Sequence, residues 1–287
     1  MRNNITADRI ANAIRMNTNP RMVHLVVEGN LDFQIYPKFF DEKFLVVHCA
    51  NGYETILEVF EKIYVNNALG LIDADFRRIY NEIIPDDRII MTDYHDLEIM
   101  ILESNATKNL EETFIDKKEK IKNVLGTETL LEHAKKQGKV LGFLRYMNFS
   151  SEDQFGLRFT DLNYSKMIKV EDKKLINLVI EFSKRNNTSV TFNQKTIDKI
   201  SENFQKISAE EIEELQLLNG HDLVNLLLHS INKVLQKSNS KIKFYDEKHL
   251  IKTICLPYVA SQEFRNTLMF KKMEQYFKKN KMEYLIK

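Results

Sequence analysis

The stretch GLIDADF, residues 70–76, is a short apolar run that ends on two carboxylates, Asp73 and Asp75. An earlier stretch, HLVVEGNLD at residues 24–32, has the same form, because its apolar run stops at Glu28. Apolar runs too short for a helix are typical of buried parallel strands, and open α/β sheets bind ligands at the carboxyl ends of such strands. The two stretches together predict a divalent-metal site made of these three acids.

Strands and helices alternate around these two stretches. Short apolar runs predict strands at residues 22–27, 44–49, 69–73 and 88–92. Apolar residues spaced three or four apart predict helices at residues 5–17, 31–40, 53–64 and 96–104. Thr6 or Asp8 is expected to cap the first helix, and Pro37 to bend or end the second. The alternation predicts an α/β fold with a mostly parallel sheet, right-handed crossovers and flanking helices.

The character of the sequence changes after Ser104. We predict a metal-binding domain over residues 1–104 and a mainly helical region over residues 105–287 that packs on it. Within the helical region we expect three local features, namely a strand and turn over residues 157–162, a capping box at Ser208 and Glu211, and a helix cap at Asp222.

The composition is that of a folded protein, since 43% of the 287 residues are hydrophobic, enough for a sizeable core. Two cysteines, Cys49 and Cys255, are too few for a disulfide framework or a zinc cluster, which indicates a reducing compartment. The sequence has neither a signal-peptide core nor a run of about 18 apolar residues. We therefore expect a cytoplasmic protein without a membrane span.

Charge is distributed unevenly, although the net charge is only +1. Residues 21–108 contain 16 acidic and 8 basic residues, whereas residues 241–287 contain 11 basic and 5 acidic residues. This asymmetry indicates a metal-binding front half and a back segment that faces phosphates or an acidic partner. Solvated lysines on a surface helix are the plain alternative for the back segment.

The spacing of Asp73 and Asp75 suits metal binding. On an extended backbone, residues two apart share one face with Cα atoms roughly 6 to 7 Å apart, so both carboxylates can bind one ion or two adjacent ions. Hard oxygen ligands with little histidine or cysteine nearby favour Mg²⁺ or Mn²⁺ over zinc. Gly29, which follows Glu28, permits close backbone approach. A turn or a helix cap is the alternative explanation of the Asp-x-Asp pair.

Three motifs resemble a known family when they are taken together: VVEGNLDFQIY at 26–36, LGLIDADF at 69–76 and TDYHDLEIMIL at 92–102. They resemble the Toprim fold, the metal-binding fold shared by topoisomerases, primases and several nucleases. More narrowly, the D-x-D-F form, the T-D-x-x-D-L-E-x-M motif and LNGHDL at 218–223 resemble the Toprim effector nucleases of PARIS anti-phage systems, the AriB family.

The resemblance implies a role for each matched residue. Glu28 would be a general base or metal ligand, and Asp73 and Asp75 would hold Mg²⁺. Asp96 and Glu98 would be outer ligands or hydrogen-bond acceptors around the inner ligands; an N-cap is the alternative role of Asp96. The expected reaction is phosphodiester hydrolysis.

The resemblance also implies a biological setting. RNA, and tRNA in particular, is the favoured substrate, and the protein would act as a toxic effector in phage defence. Such an effector is held inactive by an AriA-like ABC-type ATPase and forms a homodimer when released.

Further residues are weaker candidates. His95 and the pair Arg77 and Arg78 follow strand ends and suit contacts with a substrate phosphate. His24 and His48 lie inside apolar strands and are expected in the core, and His221 is expected to be structural. Near the end of the chain, aromatic residues interleave with lysines that suit nucleic acid, unless those aromatics form a buried helix face: Lys271, Lys272, Lys278 and Lys279.

Three other functions remain open from the sequence. The first is a DNA nuclease of the same fold. The second is a phosphoryl-handling α/β protein, although haloacid-dehalogenase-like phosphatases place their acidic pair after the first strand, and a receiver domain would need a lysine at a later strand end. The third is a non-catalytic protein-interaction module whose acids are structural.

Overall fold

The computed structural model describes residues 6–116, 118–150, 155–187 and 190–286. The chain forms two compact units, one of Met1–Met100 with Cys255–Lys287 and one of Ile101–Ile254. The predicted boundary after Ser104 lies near the end of the first segment. Residues 255–287, however, belong to the unit that contains the sheet, and not to the helical unit as the sequence had suggested.

Four strands form one sheet: β1 (Val23–Val27), β2 (Leu45–Cys49), β3 (Ala68–Ile72) and β4 (Ile89–Met91). Their order is β2-β1-β3-β4 and every neighbouring pair is parallel. All five residues of β1 and of β3 are buried, which explains why these strands are continuous apolar runs. The four predicted strands and the α/β fold class are therefore confirmed.

The helices of the described residues surround this sheet or form the second unit. In chain order they are α1 (Ala7–Met16), α2 (Asn30–Ile35), α3 (Tyr53–Lys62), α4 (Leu97–Leu102), α5 (Asn105–Phe114), α6 (Lys118–Leu125), α7 (Leu130–Ser150), α8 (Asp172–Asn186), α9 (Gln194–Ser208), α10 (Glu214–Leu217), α11 (Gly220–Lys237), α12 (Glu247–Ser261) and α13 (Leu268–Lys279). As predicted, Thr6 caps α1. Also as predicted, α2 ends before Pro37; a 3₁₀ helix, Tyr36–Phe39, follows it and contains Pro37. Within the described residues, no helix is long and apolar enough to span a bilayer.

One core of the sheet unit lies between the sheet and helices α1 and α3. Gly70, in the middle of β3, allows α3 to pack close to the strand. A Cβ atom at this position would lie 3.0 Å from the Phe60 ring and 3.1 Å from Ile56. Because core side chains are close-packed, an added methyl group here would force the Phe60 and Ile56 side chains to shift.

Helix α13 belongs to the sheet unit through hydrogen bonds as well as apolar contacts. The Tyr276 hydroxyl donates to the Asn66 and Ala68 carbonyls at 3.0 and 3.2 Å. At the start of α13, the Asp93 carboxylate accepts from the N–H groups of Leu268 and Met269 at 2.6 and 2.7 Å. This carboxylate satisfies helix N–H groups that have no partner within the helix.

The second unit is helical, and α7 and α11 are its central pair. Small residues let its helices approach closely, since a Cβ atom on Gly138 would lie 2.5 Å from the Leu223 side chain. Asp222 is fully buried. Its carboxylate accepts hydrogen bonds from Arg145 Nε and Nη2, each at 2.7 Å, and from the Tyr164 hydroxyl at 2.6 Å.

Two local expectations for the helical unit are wrong, and a third is half confirmed. Asn219, and not Asp222, caps α11, because its side chain accepts from the Asp222 N–H. Ser208 is the last residue of α9 and not the start of a helix. Residues 157–162 lack the expected strand, but the expected turn is present at residues 160–161 and leads into a 3₁₀ helix, Tyr164–Lys166. Their apolar side chains are buried without β pairing.

Candidate metal centre

Glu28 and Asp73 come together because they follow neighbouring parallel strands. Glu28 directly follows β1 and Asp73 directly follows β3, and these strands pair in register from His24 with Ala68 to Val27 with Leu71. The Asp73 N–H donates to Glu28 Oε1 at 2.9 Å. Two of the three predicted ligands therefore lie side by side at the carboxyl end of the sheet.

Two further aspartates, Asp32 and Asp96, lie around this pair, and Asp32 was not predicted from the sequence. Asp32, on α2, is buried and accepts from the Gly29 N–H at 2.7 Å. A Cβ atom on Gly29 would lie 3.1 Å from the same carboxylate oxygen, so glycine allows this close contact. The available signal was the acid three residues after Gly29, at the third position of a helix, where carboxylates often accept backbone N–H groups.

Asp96 acts as a helix cap, which is the alternative that the sequence left open. Its Oδ1 accepts from the Ile99 N–H at 2.9 Å at the start of α4. The same helix start also bonds to Asp73, whose Oδ1 accepts from the Leu97 N–H at 3.2 Å. The first turn of α4 therefore fixes the position of Asp73, one of the predicted metal ligands.

Burial and mutual repulsion raise the pKa values of these acids. Burial is the main cause of a raised pKa at Asp73, and the nearby charges of Asp32, Asp96, Glu98 and Glu28 raise it further. The pKa of Glu28 rises to about 7, mainly through burial, although the hydrogen bond from the Asp73 N–H opposes the rise. The pKa of Asp32 rises to about 6 for the same main reason. Ionised carboxylates are thus disfavoured unless a cation joins them.

The extended backbone that the sequence analysis assumed for Asp73 and Asp75 ends at Ile72. Asp75 has a φ of 45°, and its N–H donates to the His95 carbonyl at 2.7 Å. Its half-exposed carboxylate pairs with Arg77 Nη1 at 2.6 Å. The Arg77 guanidinium in turn lies 3.8 Å from the centre of the Tyr53 ring, a contact that no local sequence signal indicated.

The remaining candidates near the strand ends have defined contacts. His95 is buried, with Nε2 3.9 Å from Asp75 Oδ1, beyond hydrogen-bonding distance. Glu98, at the start of α4, is one of the charges that raise the pKa of Asp73. Arg78 donates to the Thr92 carbonyl at 2.9 and 2.6 Å, which fixes the loop to the end of β4.

Several predicted residues lie elsewhere. His24 and His48 stack within the sheet, with Nδ1 and Nε2 3.0 Å apart. His221 is half exposed and lies 3.2 Å from Glu247 in the helical unit.

The lysines of α13 are better explained as solvated lysines on a surface helix than as a nucleic-acid surface, because the aromatic residues interleaved with them are buried in the core: Phe270, Tyr276 and Phe277. Two of these lysines form ion pairs, Lys278 with Glu274 at 3.6 Å and Lys279 with Asp87 at 3.0 Å. Lys271 and Lys272 are exposed.

The donor chemistry at the strand ends suits a hard divalent cation. Over the described ranges, no three His, Cys, Asp or Glu side chains already converge as a metal-binding set. Glu28 and Asp73 each bond to a backbone N–H through one oxygen, which leaves the second oxygen of each carboxylate for an ion. Buried carboxylates with raised pKa values are the groups that a bound cation stabilises most.

No protein-family model matches this chain, and a search of curated proteins finds no significant relative. The Toprim resemblance therefore depends on the three quoted motifs and stays a prediction.

Proposed function

We propose that this protein is a Mg²⁺-dependent nuclease of the Toprim kind. The observation that carries the proposal is the pairing of Glu28 and Asp73 at the ends of adjacent parallel strands, joined by a 2.9 Å hydrogen bond. Buried acids surround this pair, and within the described chain no lysine or arginine forms an ion pair with Glu28, Asp32 or Asp73.

Glu28, Asp73 and Asp75 would hold Mg²⁺ or Mn²⁺, since all three offer hard oxygen ligands. When bound, the ion would polarise the scissile phosphate and lower the pKa of a bound water. Glu28 has an alternative role as general base: where Asp73 and Asp75 alone hold the ion, its Oε2, with a pKa of about 7 in the metal-free protein, would take a proton from the attacking water near neutral pH. Arg77, held over Tyr53 and beside Asp75, supplies a guanidinium suited to a phosphate oxygen.

The substrate and setting follow from the motif resemblance. We propose RNA, with tRNA favoured, as the substrate, and a role in the cytoplasm as a toxic effector of phage defence. An AriA-like ABC-type ATPase would hold it inactive, and release would allow it to form a homodimer. LNGHDL at 218–223, together with the motifs at the strand ends, supports this narrower assignment.

A second candidate is a non-catalytic interaction module. It is favoured by the hydrogen bonds in which Asp32, Asp73 and Asp96 accept backbone N–H groups at 2.7, 3.2 and 2.9 Å. Such contacts stabilise helix starts whether or not the protein has an active site.

The Asp75→Asn variant separates the two candidates. Asparagine tolerates the positive φ of this position, so the loop is preserved while a charged ligand is lost. We expect Mg²⁺-dependent cleavage of tRNA to fall by on the order of 10- to 100-fold. Glu58→Gln, an exposed acid on α3, is the matched control and should cleave like the wild type.

Gel analysis of labelled tRNA and of a DNA duplex of similar length provides the readout, with circular dichroism to verify folding. Cleavage by Asp75→Asn at the wild-type rate would contradict the nuclease proposal. Cleavage confined to the DNA duplex would instead favour the DNA nuclease of the same fold.

A further inference from the structure

The helical unit contains a cavity of about 560 Å³ that borders one face of α11. Residues spaced three or four apart on this helix line one wall: His229, Asn232, Lys233 and Gln236. The opposite wall comes from the segment after α11, residues 240–243, with Ser165 and Ile168 beside it. All of these residues lie within Ile101–Ile254, so this pocket, hereafter the α11 pocket, is complete within one compact unit.

The α11 pocket is basic and has no acidic lining residue in the described chain. Lys233, Lys241 and Lys243 line it, and none of the three forms an ion pair with a described residue. Its walls come from two stretches of sequence without Asp or Glu, residues 162–170 and 223–245. The local charge is therefore uncompensated by the protein itself.

A second cavity in the same unit is also lined by lysines, but it contains acidic residues that balance their charge. That cavity, of about 550 Å³, also has three lysines in its lining, but Glu132, Asp172 and Glu214 lie among them. One of its lysines, Lys135, forms an ion pair with Glu103 at 2.6 Å. Its positive charge is balanced within the protein, unlike that of the α11 pocket.

The positive charge of Lys233 also affects the pKa of a buried histidine, His133. His133 is buried, and its pKa falls to about 4, first through burial and then through the charges of Lys233, Lys136 and Lys169. Of these lysines, Lys233 lines the α11 pocket, whereas Lys136 lines the second cavity. A positive field of this kind attracts anions and is strongest where the protein excludes water.

The wall of the α11 pocket is held in place before any ligand arrives. The Asn232 side chain donates to the Phe244 carbonyl at 2.7 Å and accepts from the Phe244 N–H at 2.9 Å. This pair of bonds fixes the segment that carries Lys241 and Lys243 to α11. Because the two lysines need little further ordering of the backbone, binding costs less conformational entropy.

We propose that the α11 pocket binds phosphate groups of a nucleic-acid backbone and so holds RNA on the helical unit. Lysines bind phosphate as compact point charges, and the neutral side chain of Gln236 can donate to a further phosphate oxygen. The described lining residues include no Phe, Tyr or Trp on which a base could stack, so the lysine contacts are independent of base sequence. The choice of RNA as the source of phosphate rests on the proposed function.

The test is a binding titration in EDTA, where cleavage is absent. Fluorescence anisotropy of labelled tRNA is measured with the full chain over a range of salt concentrations. The test variant is Lys233→Gln/Lys241→Gln/Lys243→Gln. The control is Lys184→Gln/Lys195→Gln/Lys206→Gln, which makes the same charge change at exposed positions on α8 and α9.

The test variant should bind at least about tenfold more weakly, and its salt dependence should be less steep by about one logarithmic unit for each lysine lost. The control variant should retain both the affinity and the steepness of the wild type. Equal behaviour of the two triple variants would overturn the proposal, because general electrostatics would then explain all binding. Loss of binding to a DNA duplex but not to tRNA would also overturn it.

The outcome is independent of catalysis. A wild-type chain that binds tRNA through these lysines but never cleaves it would refute the proposed nuclease and leave the α11 pocket as a nucleic-acid site. A chain that cleaves tRNA in an Asp75-dependent way but binds equally well without the three lysines would refute only the pocket.

Discussion

Carboxylates away from solvent occur in both units, and their surroundings differ. In the helical unit, Asp222 is paired with Arg145 at two 2.7 Å contacts and with the Tyr164 hydroxyl. In the sheet unit, Glu28 and Asp73 have backbone N–H donors and acidic neighbours. A counter-charge stabilises Asp222, because an uncompensated buried charge is costly. Glu111, buried in the helical unit, also accepts backbone N–H groups and has no ion pair with a described residue, so the grouping of several acids at the strand ends, and not a missing counter-charge alone, marks the functional candidate.

Removal of the counter-charge in the helical unit should have the largest effect on stability. Arg145→Leu leaves Asp222 buried without its cation, and we expect a loss of about 3–5 kcal/mol in the free energy of unfolding. Urea denaturation followed by circular dichroism measures this. Arg158→Leu, at an exposed arginine of the same unit, should change stability by less than about 0.5 kcal/mol.

The double variant Arg145→Leu/Asp222→Asn removes both charges and should recover part of the loss. If Arg145→Leu alone costs no more than the exposed control, then the buried pair does not stabilise this unit. Asp222 would then no longer be an example of a carboxylate stabilised by its counter-charge, against which Glu28 and Asp73 are compared.

A third kind of buried group, the stacked pair His24 and His48, avoids uncompensated charge by remaining neutral. Burial, and then the charge of His48, lowers the pKa of His24 from 6.5 to about 4. The unfolded chain therefore binds a proton below pH 6.5 that the folded chain binds only near pH 4. His24 should contribute a loss of stability on the order of 3 kcal/mol as the pH falls across this window.

His24→Asn should remove this pH dependence, which urea denaturation at a series of pH values measures. His249→Asn, at an exposed histidine, is the control and should keep the wild-type slope. A slope in His24→Asn equal to that of the wild type would show that the buried pair does not titrate differently on unfolding.

The smallest effect, but the most diagnostic in sign, is expected at Asp73. Its pKa is raised by burial and by neighbouring acids, so the folded chain retains a proton that the unfolded chain releases, and stability falls as the pH rises. Asp73→Asn should therefore stabilise the metal-free protein at neutral pH by about 1–2 kcal/mol. Asp222→Asn, the same change beside Arg145, should destabilise it.

Added Mg²⁺ should affect the stability of the wild type and of Asp73→Asn differently. Binding to the native state should raise the melting temperature of the wild type, and Asp73→Asn should reduce the increase. Thermal unfolding with and without millimolar Mg²⁺ provides the measurement. If Mg²⁺ shifts neither protein, the acids at the strand ends do not bind it.

The sequence was sufficient for the sheet because buried strands leave local signals. Each predicted strand ends within one or two residues of the observed one, and Glu28 and Asp73 could be placed together since the ends of parallel strands meet. The turn at Asp75 was one of the alternatives left open, and sequence could not decide for it, because it depends on a backbone bond to His95, a contact between distant positions. The role of Asp32 depends in the same way on packing between elements.

The failures in the helical unit have a related cause. A motif such as Ser208 with Glu211 matches a capping box, but whether a helix begins there is decided by tertiary packing. In the sheet unit, the sequence left open whether the α13 lysines form a nucleic-acid surface, because sequence cannot show that Phe270 and Phe277 are buried. The basic α11 pocket left a usable signal, the acid-free stretch of residues 223–245, but its walls converge only in three dimensions.

The sheet unit is discontinuous in sequence, and this has a consequence for synthesis on the ribosome. Residues 255–286 emerge only after the entire helical unit has been translated, yet they supply Tyr276, whose hydroxyl bonds to Ala68 of β3, and the helix start that bonds to Asp93. A nascent chain therefore carries the acids at the strand ends long before their supporting helix exists. Since domains fold as units, we expect the candidate centre to mature only after residues 255–286 have been synthesised.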